Sequence, residues 1–310
     1  MKYDWNIIGH QKQIEQLEQE IQLDSISHAY LFSGPKNTGK FRIARTFATI
    51  LQCQNNFCKT CKDCHLIQKK VHPDVILMPD DGESIKIDQV RELIRKTSLT
   101  TQSKYRIIVI ENIERMPIEA QNSFLKTLEE PISKTIFLLT TTQINKVLPT
   151  ILSRVRQYSF PNISDDILRK YLKEEYDNNP NIEEIVNISQ GRPGLAINLS
   201  KNIEALIEQR NIYNQIENFL SKNNLSQKIS FVENLCEDDN LFNLFFDAFY
   251  RYLRKLIFDY MENIDNPIKK RFNLEEITNL FESLEKTRYL IQRNVNKKLA
   301  LENFFLMTEK

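Results

Sequence analysis

A glycine-containing loop at residues 34–40 constrains the fold more than any other feature of this sequence. It reads GPKNTGK, follows the short apolar run 29–32 and precedes a stretch with helical periodicity. A strand, such a loop and a helix in that order form a P-loop, whose backbone N–H groups bind phosphate oxygens while a lysine reaches the terminal phosphates. The sequence therefore predicts a phosphate site that includes Gly34, Gly39 and Lys40.

Two further apolar runs extend this predicted domain. Residues 106–110 (RIIVI) and 135–139 (TIFLL) are short and end at polar residues, as is typical of strands buried in a parallel sheet. Helical patterns at 87–96 and 118–128 lie between the runs. We therefore expect residues 1–162 to form an α/β domain around a parallel sheet.

The residues that should hold Mg²⁺ and position water at a P-loop are altered in this chain. Phe41 stands where a serine or threonine hydroxyl should bind the metal. The run 106–110 is followed by Glu111 and Asn112, where an Asp-Glu pair should bind the metal and orient water. Glu111 keeps a negative charge on a longer side chain, but Asn112 cannot act as a base. The sequence predicts a degenerate site that binds ATP weakly or not at all.

The cysteines form the second strong signal. Four of the five cysteines fall within twelve positions, at Cys53, Cys58, Cys61 and Cys64. Four thiolates on one short segment suit tetrahedral Zn²⁺, with a redox pair or incidental thiols as the alternatives. Because four sulfur ligands leave no open coordination position, the predicted Zn²⁺ is structural and lies in an inserted module at about 53–64.

Strand-like runs stop near residue 162, and the rest of the chain has helical patterns. Residues 163–202 predict a small helical domain and residues 203–310 an all-α domain. The longest helical stretch, 240–263, is apolar around most of its circumference, so we expect neighbouring helices to cover it on several sides.

Charge and hydropathy exclude two classes of protein. The chain has 310 residues with 42 Lys and Arg against 41 Asp and Glu, a net charge of +1, which excludes a globally basic nucleic-acid-binding surface. No apolar run approaches the ~18 residues that span a bilayer, and the N-terminus has no secretory signal pattern. We therefore expect a cytoplasmic protein.

Several motifs together carry a resemblance to a known family. They are residues 27–35 (SHAYLFSGP), 72–75 (HPDV), 120–131 (AQNSFLKTLEEP) and 148–154 (LPTILSR). With the cysteine cluster after the P-loop helix, they resemble the AAA+ subunits of the bacterial clamp-loader family of DNA polymerase III. The altered nucleotide motifs favour the δ′ (delta-prime) type over the γ/τ motor type. Val155 departs from the Ser-Arg-Cys motif of the family.

The resemblance implies an architecture and a set of partners. It implies an AAA+ domain at 1–162, a lid domain at 163–202 and a collar domain for oligomerisation at 203–310. A δ′-type subunit is a stator in a hetero-oligomeric loader with γ/τ and δ subunits. That loader opens the β sliding clamp and places it on primer-template DNA.

The resemblance also implies roles for individual residues. Arg154 corresponds to an arginine finger that acts in trans at the ATP site of a neighbouring subunit, where a permanently charged guanidinium engages phosphate oxygens. Thr142 corresponds to sensor 1, with Thr141 as the competing assignment. Arg192 lies in a sensor-2-like segment but precedes its Pro-Gly turn, which favours a structural role.

Two other functions stay open on the sequence alone. The chain could be an active γ/τ-like ATPase motor, a reading that Phe41 and Asn112 oppose. It could also be a zinc-stabilised DNA-binding protein with a vestigial P-loop, a reading that the near-zero net charge opposes.

Overall fold

A computed structural model of the protein describes residues 2–97, 100–131, 134–221, 225–264, 267–293 and 295–306. The chain divides into two compact units, Met1–Asn198 and Leu199–Lys310. The three-part division of the chain stays a prediction. Among the helices that the structure describes, none combines the length and the apolar character needed to cross a bilayer.

The first unit is built on a parallel sheet. In the part of the chain that the structure describes, this sheet has five strands in the order β2-β3-β4-β1-β5, and each neighbouring pair is parallel. The strands are β1 (Ala29–Ser33), β2 (Val75–Met78), β3 (Arg106–Ile110), β4 (Thr135–Thr141) and β5 (Arg156–Ser159). The predicted parallel α/β domain is therefore confirmed.

Nine α-helices accompany this sheet in the described part of the chain between residues 11 and 201. They are α1 (Gln11–Gln22), α2 (Lys40–Gln52), α3 (Lys62–Gln68), α4 (Ile87–Thr97), α5 (Ile118–Glu129), α6 (Pro149–Leu152), α7 (Asp165–Glu175), α8 (Ile182–Ser189) and α9 (Pro193–Lys201). Short 3₁₀ helices occupy Ile113–Arg115 and Ile144–Lys146.

Side chains of β1 alternate between two separate cores. Tyr30 and Phe32 pack with Phe47 of α2 on one face, whereas Leu31 packs with Phe124 of α5 on the other. Both faces are buried along residues 29–32, so these successive residues are apolar, and the polar Ser33 stands at the end of the strand. This double burial is the physical reason why the strand reads as a continuous apolar run.

The described part of the second unit is helical. Its helices are α10 (Ile203–Ser221), α11 (Leu225–Glu237), α12 (Asp239–Met261), α13 (Leu274–Gln292) and α14 (Lys297–Leu306), with a 3₁₀ helix at Pro267–Lys270. α12 lies against α10, α11 and α13, and it buries Phe245, Phe249 and Leu253 completely. The predicted cover of this helix by neighbouring helices on several sides is confirmed.

Candidate nucleotide site and cysteine cluster

The loop between β1 and α2 has a backbone that requires glycine at its first position. Gly34 has a φ of 146°, and a Cβ there would lie 2.2 Å from the carbonyl oxygen of Phe160. Gly39, with a φ of 93°, is the residue before α2. A side chain is sterically excluded at Gly34, and both residues have left-handed conformations that other residues adopt at a cost. The predicted P-loop conformation is therefore present.

Lys40 is the first residue of α2 and is almost fully buried. Its Nζ donates a hydrogen bond to the carbonyl oxygen of Pro35 in the same loop, at 2.6 Å. Burial lowers the pKa of Lys40 to about 8, while the negative charges of Glu114 and then Glu111 oppose this shift and Arg192 adds to it. The lysine is thus surrounded by two carboxylates and one guanidinium.

Phe41 carries an aromatic ring at the position where an ordinary P-loop has a hydroxyl. Its partly buried ring packs against the core between the sheet and α2, which includes Phe47 and Ile43. An aromatic ring in this place supplies apolar packing and has no oxygen that could bind a metal ion. The metal-binding group of an ordinary P-loop is therefore missing, as the sequence indicated.

Glu111 and Asn112 lie at the carboxyl end of β3, and both contact Asp80. The amide of Asp80 donates to Glu111 Oε2 at 2.9 Å, and Asn112 Nδ2 donates to Asp80 Oδ2 at 2.6 Å. Arg115 forms an ion pair with Asp80 at 2.5 Å. Burial raises the pKa of Glu111. The side chain of Asn112 is therefore committed to a structural hydrogen bond.

Glu114 is a residue of this site that sequence reasoning missed. Both the amide and the hydroxyl of Thr142 donate to Glu114 Oε1, at 2.8 and 2.6 Å. Within the described residues, Oε2 of the same carboxylate is buried and has no hydrogen-bond partner. The available signal was the position of Glu114 four residues after β3, on the same sheet edge as the P-loop. Thr141, the competing residue, is buried and accepts from the amide of Gln143 at 3.1 Å.

The first turn of α9 packs directly on the P-loop. The amide of Gly194 donates to the carbonyl oxygen of Asn37 at 2.8 Å, and a Cβ at Gly194 would also lie 2.8 Å from that oxygen. Gly191 has a φ of 70°, and a Cβ there would lie 2.0 Å from the carbonyl oxygen of Ile163. Arg192 between them is buried. Both glycines are thus required by close backbone contacts.

Arg154 follows α6 and contacts a different set of residues. Its guanidinium donates to Glu129 Oε1 at 2.5 Å and to the carbonyl oxygen of Thr150 at 2.8 Å. The side chain of Arg154 is 34% exposed and that of Glu129 is 47% exposed. An ion pair this exposed contributes at most about 1 kcal/mol, so a stronger anion can replace the carboxylate.

The four clustered cysteines come together in space. Their Sγ atoms all lie within 4.8 Å of one another, and Cys53 Sγ lies 3.7 Å from that of Cys58 and 3.9 Å from that of Cys61. A tetrahedral Zn²⁺ with bonds of about 2.3 Å to sulfur separates its ligands by about 3.8 Å. The donor set and its spacing therefore fit Zn²⁺.

Local backbone structure builds this cluster. Cys53 follows α2, Cys61 precedes α3 and Cys64 lies within α3. The amide of Cys58 donates to Cys53 Sγ at 3.4 Å, and the amide of Cys61 donates to Cys58 Sγ at 3.3 Å. Such N–H donors stabilise metal-bound thiolates. The cluster ties the end of α2 to α3.

These features define a class of protein. A parallel sheet with a phosphate-binding loop after a central strand, and acidic and hydroxyl side chains at the ends of the neighbouring strands β3 and β4, characterises P-loop α/β proteins. The sequence model of the family described as "DNA polymerase III, delta subunit" matches residues 9–164, about half of the chain. The chain belongs to this family, in agreement with the δ′-type clamp-loader resemblance of its motifs.

Individual relatives agree with the family match. DNA polymerase III subunit delta′ of Bacillus subtilis is 34% identical over 192 residues, which cover 61% of this chain and 58% of the relative. The delta′ subunit of Pseudomonas aeruginosa is 36% identical over 176 residues, 54% of each chain. The tau subunit of Bacillus subtilis is 32% identical over 53% of this chain and 30% of its own. The chain thus matches little more than half the length of the delta′ relatives.

Solved structures give a weaker likeness. A gamma subunit-related protein of DNA polymerase III from Thermotoga maritima is 20% identical, with a TM-score of 0.49 over 94% of this chain and 98% of that chain.

Proposed function

We propose that the chain is a stator-type subunit of a DNA polymerase III clamp loader. It acts in the cytoplasm with γ/τ and δ subunits and helps to place the β sliding clamp on primer-template DNA. One observation carries this proposal. The loop between β1 and α2 has the backbone conformation of a phosphate-binding loop, whereas Phe41 packs against the core and Asn112 donates a hydrogen bond to Asp80. Such a site belongs to a subunit that has kept the fold of an ATPase without its reaction.

Two contacts support the loss of hydrolysis. Phe41 packs into the core beside α2 and offers no ligand to Mg²⁺. Asn112 uses its amide to bond Asp80 and has no basic group that could activate water. Since phosphoryl transfer depends on a fixed metal ion and an oriented nucleophile, a site without both does not turn over ATP.

Arg154 supports the second part of the proposal, a contribution to a neighbouring ATP site. Its guanidinium is partly exposed and, among the described residues, contacts the exposed Glu129 carboxylate, the carbonyl of Thr150 and the Ser153 hydroxyl. A phosphate group of a neighbouring subunit is a stronger acceptor than the Glu129 carboxylate because it carries more charge and can be bound through two oxygens. We propose that Arg154 exchanges Glu129 for phosphate in the assembled loader.

The cysteine cluster has a structural role in this proposal. Zn²⁺ bound to Cys53, Cys58, Cys61 and Cys64 would fix α3 at the end of α2. The metal would have no open coordination position and hence no part in a reaction.

The proposal is tested by ATP turnover of the purified full chain with Mg²⁺. We expect the rate to equal that of Lys40→Met, a variant that lacks the P-loop amino group and so measures contaminating activity. Turnover that Lys40→Met abolishes would overturn the proposal and support an active motor.

A further inference from the structure

We propose that Glu114 is a built-in competitor of nucleotide, whose carboxylate engages the groups that the terminal phosphate of ATP would need. The inference rests on the proposed degenerate nucleotide site and gives a separate cause for its weak affinity.

Glu114 occupies the hydrogen-bond donors of Thr142. Thr142 lies just after β4, where a hydroxyl can meet the terminal phosphate of a nucleotide in the P-loop. Both of its donors, the amide and the hydroxyl, are used by Glu114 Oε1 at 2.8 and 2.6 Å. A phosphate oxygen can gain this hydroxyl only by displacing a charged acceptor, which costs more than displacing water.

The negative charge of Glu114 also opposes the binding of a triphosphate at Lys40. Glu114 is the first of the negative groups that stabilise the charged form of Lys40, ahead of Glu111. Its second oxygen is buried and has no hydrogen-bond partner among the described residues, so water does not screen it there. A triphosphate bound by Lys40 would bring like charge close to this carboxylate in a poorly screened place, where such repulsion is strong.

The expected effect of Glu114 is separate from the effects of Phe41 and Asn112. Phe41 and Asn112 remove metal and water handling but leave the phosphate cradle of Gly34, Gly39 and Lys40 intact. That cradle should still bind phosphate through its backbone amides. The weak affinity proposed for this site therefore needs an additional cause, and Glu114 supplies one.

The test measures binding of ATP to the full chain by calorimetry. We expect Glu114→Gln to bind ATP at least tenfold more tightly than the unchanged chain, because it keeps the shape of the side chain and removes its charge. Glu111→Gln is the matched control, since it removes a charge from the same sheet edge and leaves the charged Glu114 carboxylate bonded to Thr142. We expect the control to change the affinity less than threefold.

Two results would overturn the inference. One is equal affinity of Glu114→Gln and the unchanged chain, and the other is an equal gain in Glu111→Gln. Glu114→Ala gives the same test if Glu114→Gln does not unfold cooperatively.

A double variant tests whether the tighter ATP binding of Glu114→Gln occurs at the P-loop. Adding Lys40→Met to Glu114→Gln should return the affinity to that of the unchanged chain, and a gain that survives this change would contradict binding at the P-loop. Tight ATP binding by the unchanged chain would instead refute the proposed degenerate site, so the two failures are distinguishable.

Discussion

The amino group of Lys40 donates to the carbonyl oxygen of Pro35, 2.6 Å away, within the loop that should hold phosphate. The lysine is therefore bonded to its own loop and would have to leave this carbonyl to reach a nucleotide. Its burial explains why its pKa is lowered to about 8. This arrangement predicts a measurable pH dependence of stability.

We expect Lys40 to make the protein more stable as pH rises from about 8 to about 10. Lys40 has its ordinary pKa of 10.5 in the unfolded chain and a pKa of about 8 in the folded chain. Between these two values the unfolded chain keeps a proton on Lys40 that the folded chain has lost. Stability rises with pH wherever the unfolded state binds more protons. The free energy of unfolding should increase relative to Lys40→Met by about 2 to 3 kcal/mol over these two pH units. Urea titrations of both chains at pH 7, 8, 9 and 10 measure this difference, and a constant difference would contradict it.

A buried ion pair gives a prediction for the HPDV motif. Asp74 Oδ1 lies 2.9 Å from Arg106 Nη2, and both side chains are buried. Burial acts to raise the pKa of Asp74, but hydrogen bonds from Arg106 and from Gln102 and Ser103 outweigh it and hold the pKa below its usual value. The stability that ionised Asp74 contributes is therefore fully present above the usual pKa of Asp, and it is lost as pH falls through the lowered pKa.

We expect Asp74→Asn to destabilise the protein by about 3 to 5 kcal/mol at neutral pH, because it leaves the Arg106 guanidinium buried without its counter-charge. Urea-induced unfolding measures the loss. The exposed Asp81 provides the control, since Asp81→Asn should change stability by less than about 0.5 kcal/mol. Equal effects of the two substitutions would refute the prediction.

Metal content tests the cysteine cluster. We expect one Zn²⁺ per chain after dialysis, and none in Cys61→Ser, because three thiolates and a hydroxyl bind Zn²⁺ far more weakly than four thiolates. Cys236→Ser is the matched control, since Cys236 lies in α11 and should leave the metal content unchanged. Retention of Zn²⁺ by Cys61→Ser would exclude the proposed ligand set.

Restoring the metal ligand should make nucleotide binding depend on Mg²⁺. We expect Phe41→Thr in the Glu114→Gln background to bind ATP more tightly with Mg²⁺ than with EDTA, because the new hydroxyl can bind the metal. Glu114→Gln alone should show a smaller difference. Equal affinities with Mg²⁺ and EDTA in the double variant would show that more than this hydroxyl is missing.

The sequence indicated those parts of the fold that depend on local pattern. β1 was recognisable because Tyr30 and Leu31 face separate cores, which makes residues 29–32 a continuous apolar run. The cysteine cluster was recognisable because its ligands follow one another closely along the chain. β5 was not identified, since this edge strand is mostly exposed and buries only Tyr158.

Contacts between distant segments could not be read in advance. Glu114 joins the site because Asn112, with a φ of 52°, starts a 3₁₀ turn that brings the carboxylate to Thr142. The pairing of Arg154 with Glu129 joins two motifs that lie 25 positions apart. Tertiary structure decides both contacts, and neither leaves a periodic signal in the sequence.

We propose that the chain contributes to the reaction of its partners and not to one of its own. The most direct test of this proposal is ATP hydrolysis by the assembled loader, with γ/τ, δ, clamp and primed DNA, containing either the unchanged chain or Arg154→Ala. Arg156→Ala is the control, because Arg156 is a nearby exposed arginine that pairs with Glu20 at 3.0 Å.

We predict that the unchanged chain and Arg156→Ala raise the hydrolysis rate of the partners, and that Arg154→Ala abolishes this increase. The chain alone should show no turnover. An undiminished increase with Arg154→Ala would show that Arg154 is not the arginine finger, and turnover by the chain alone that needs Lys40 would show that the chain is itself a motor.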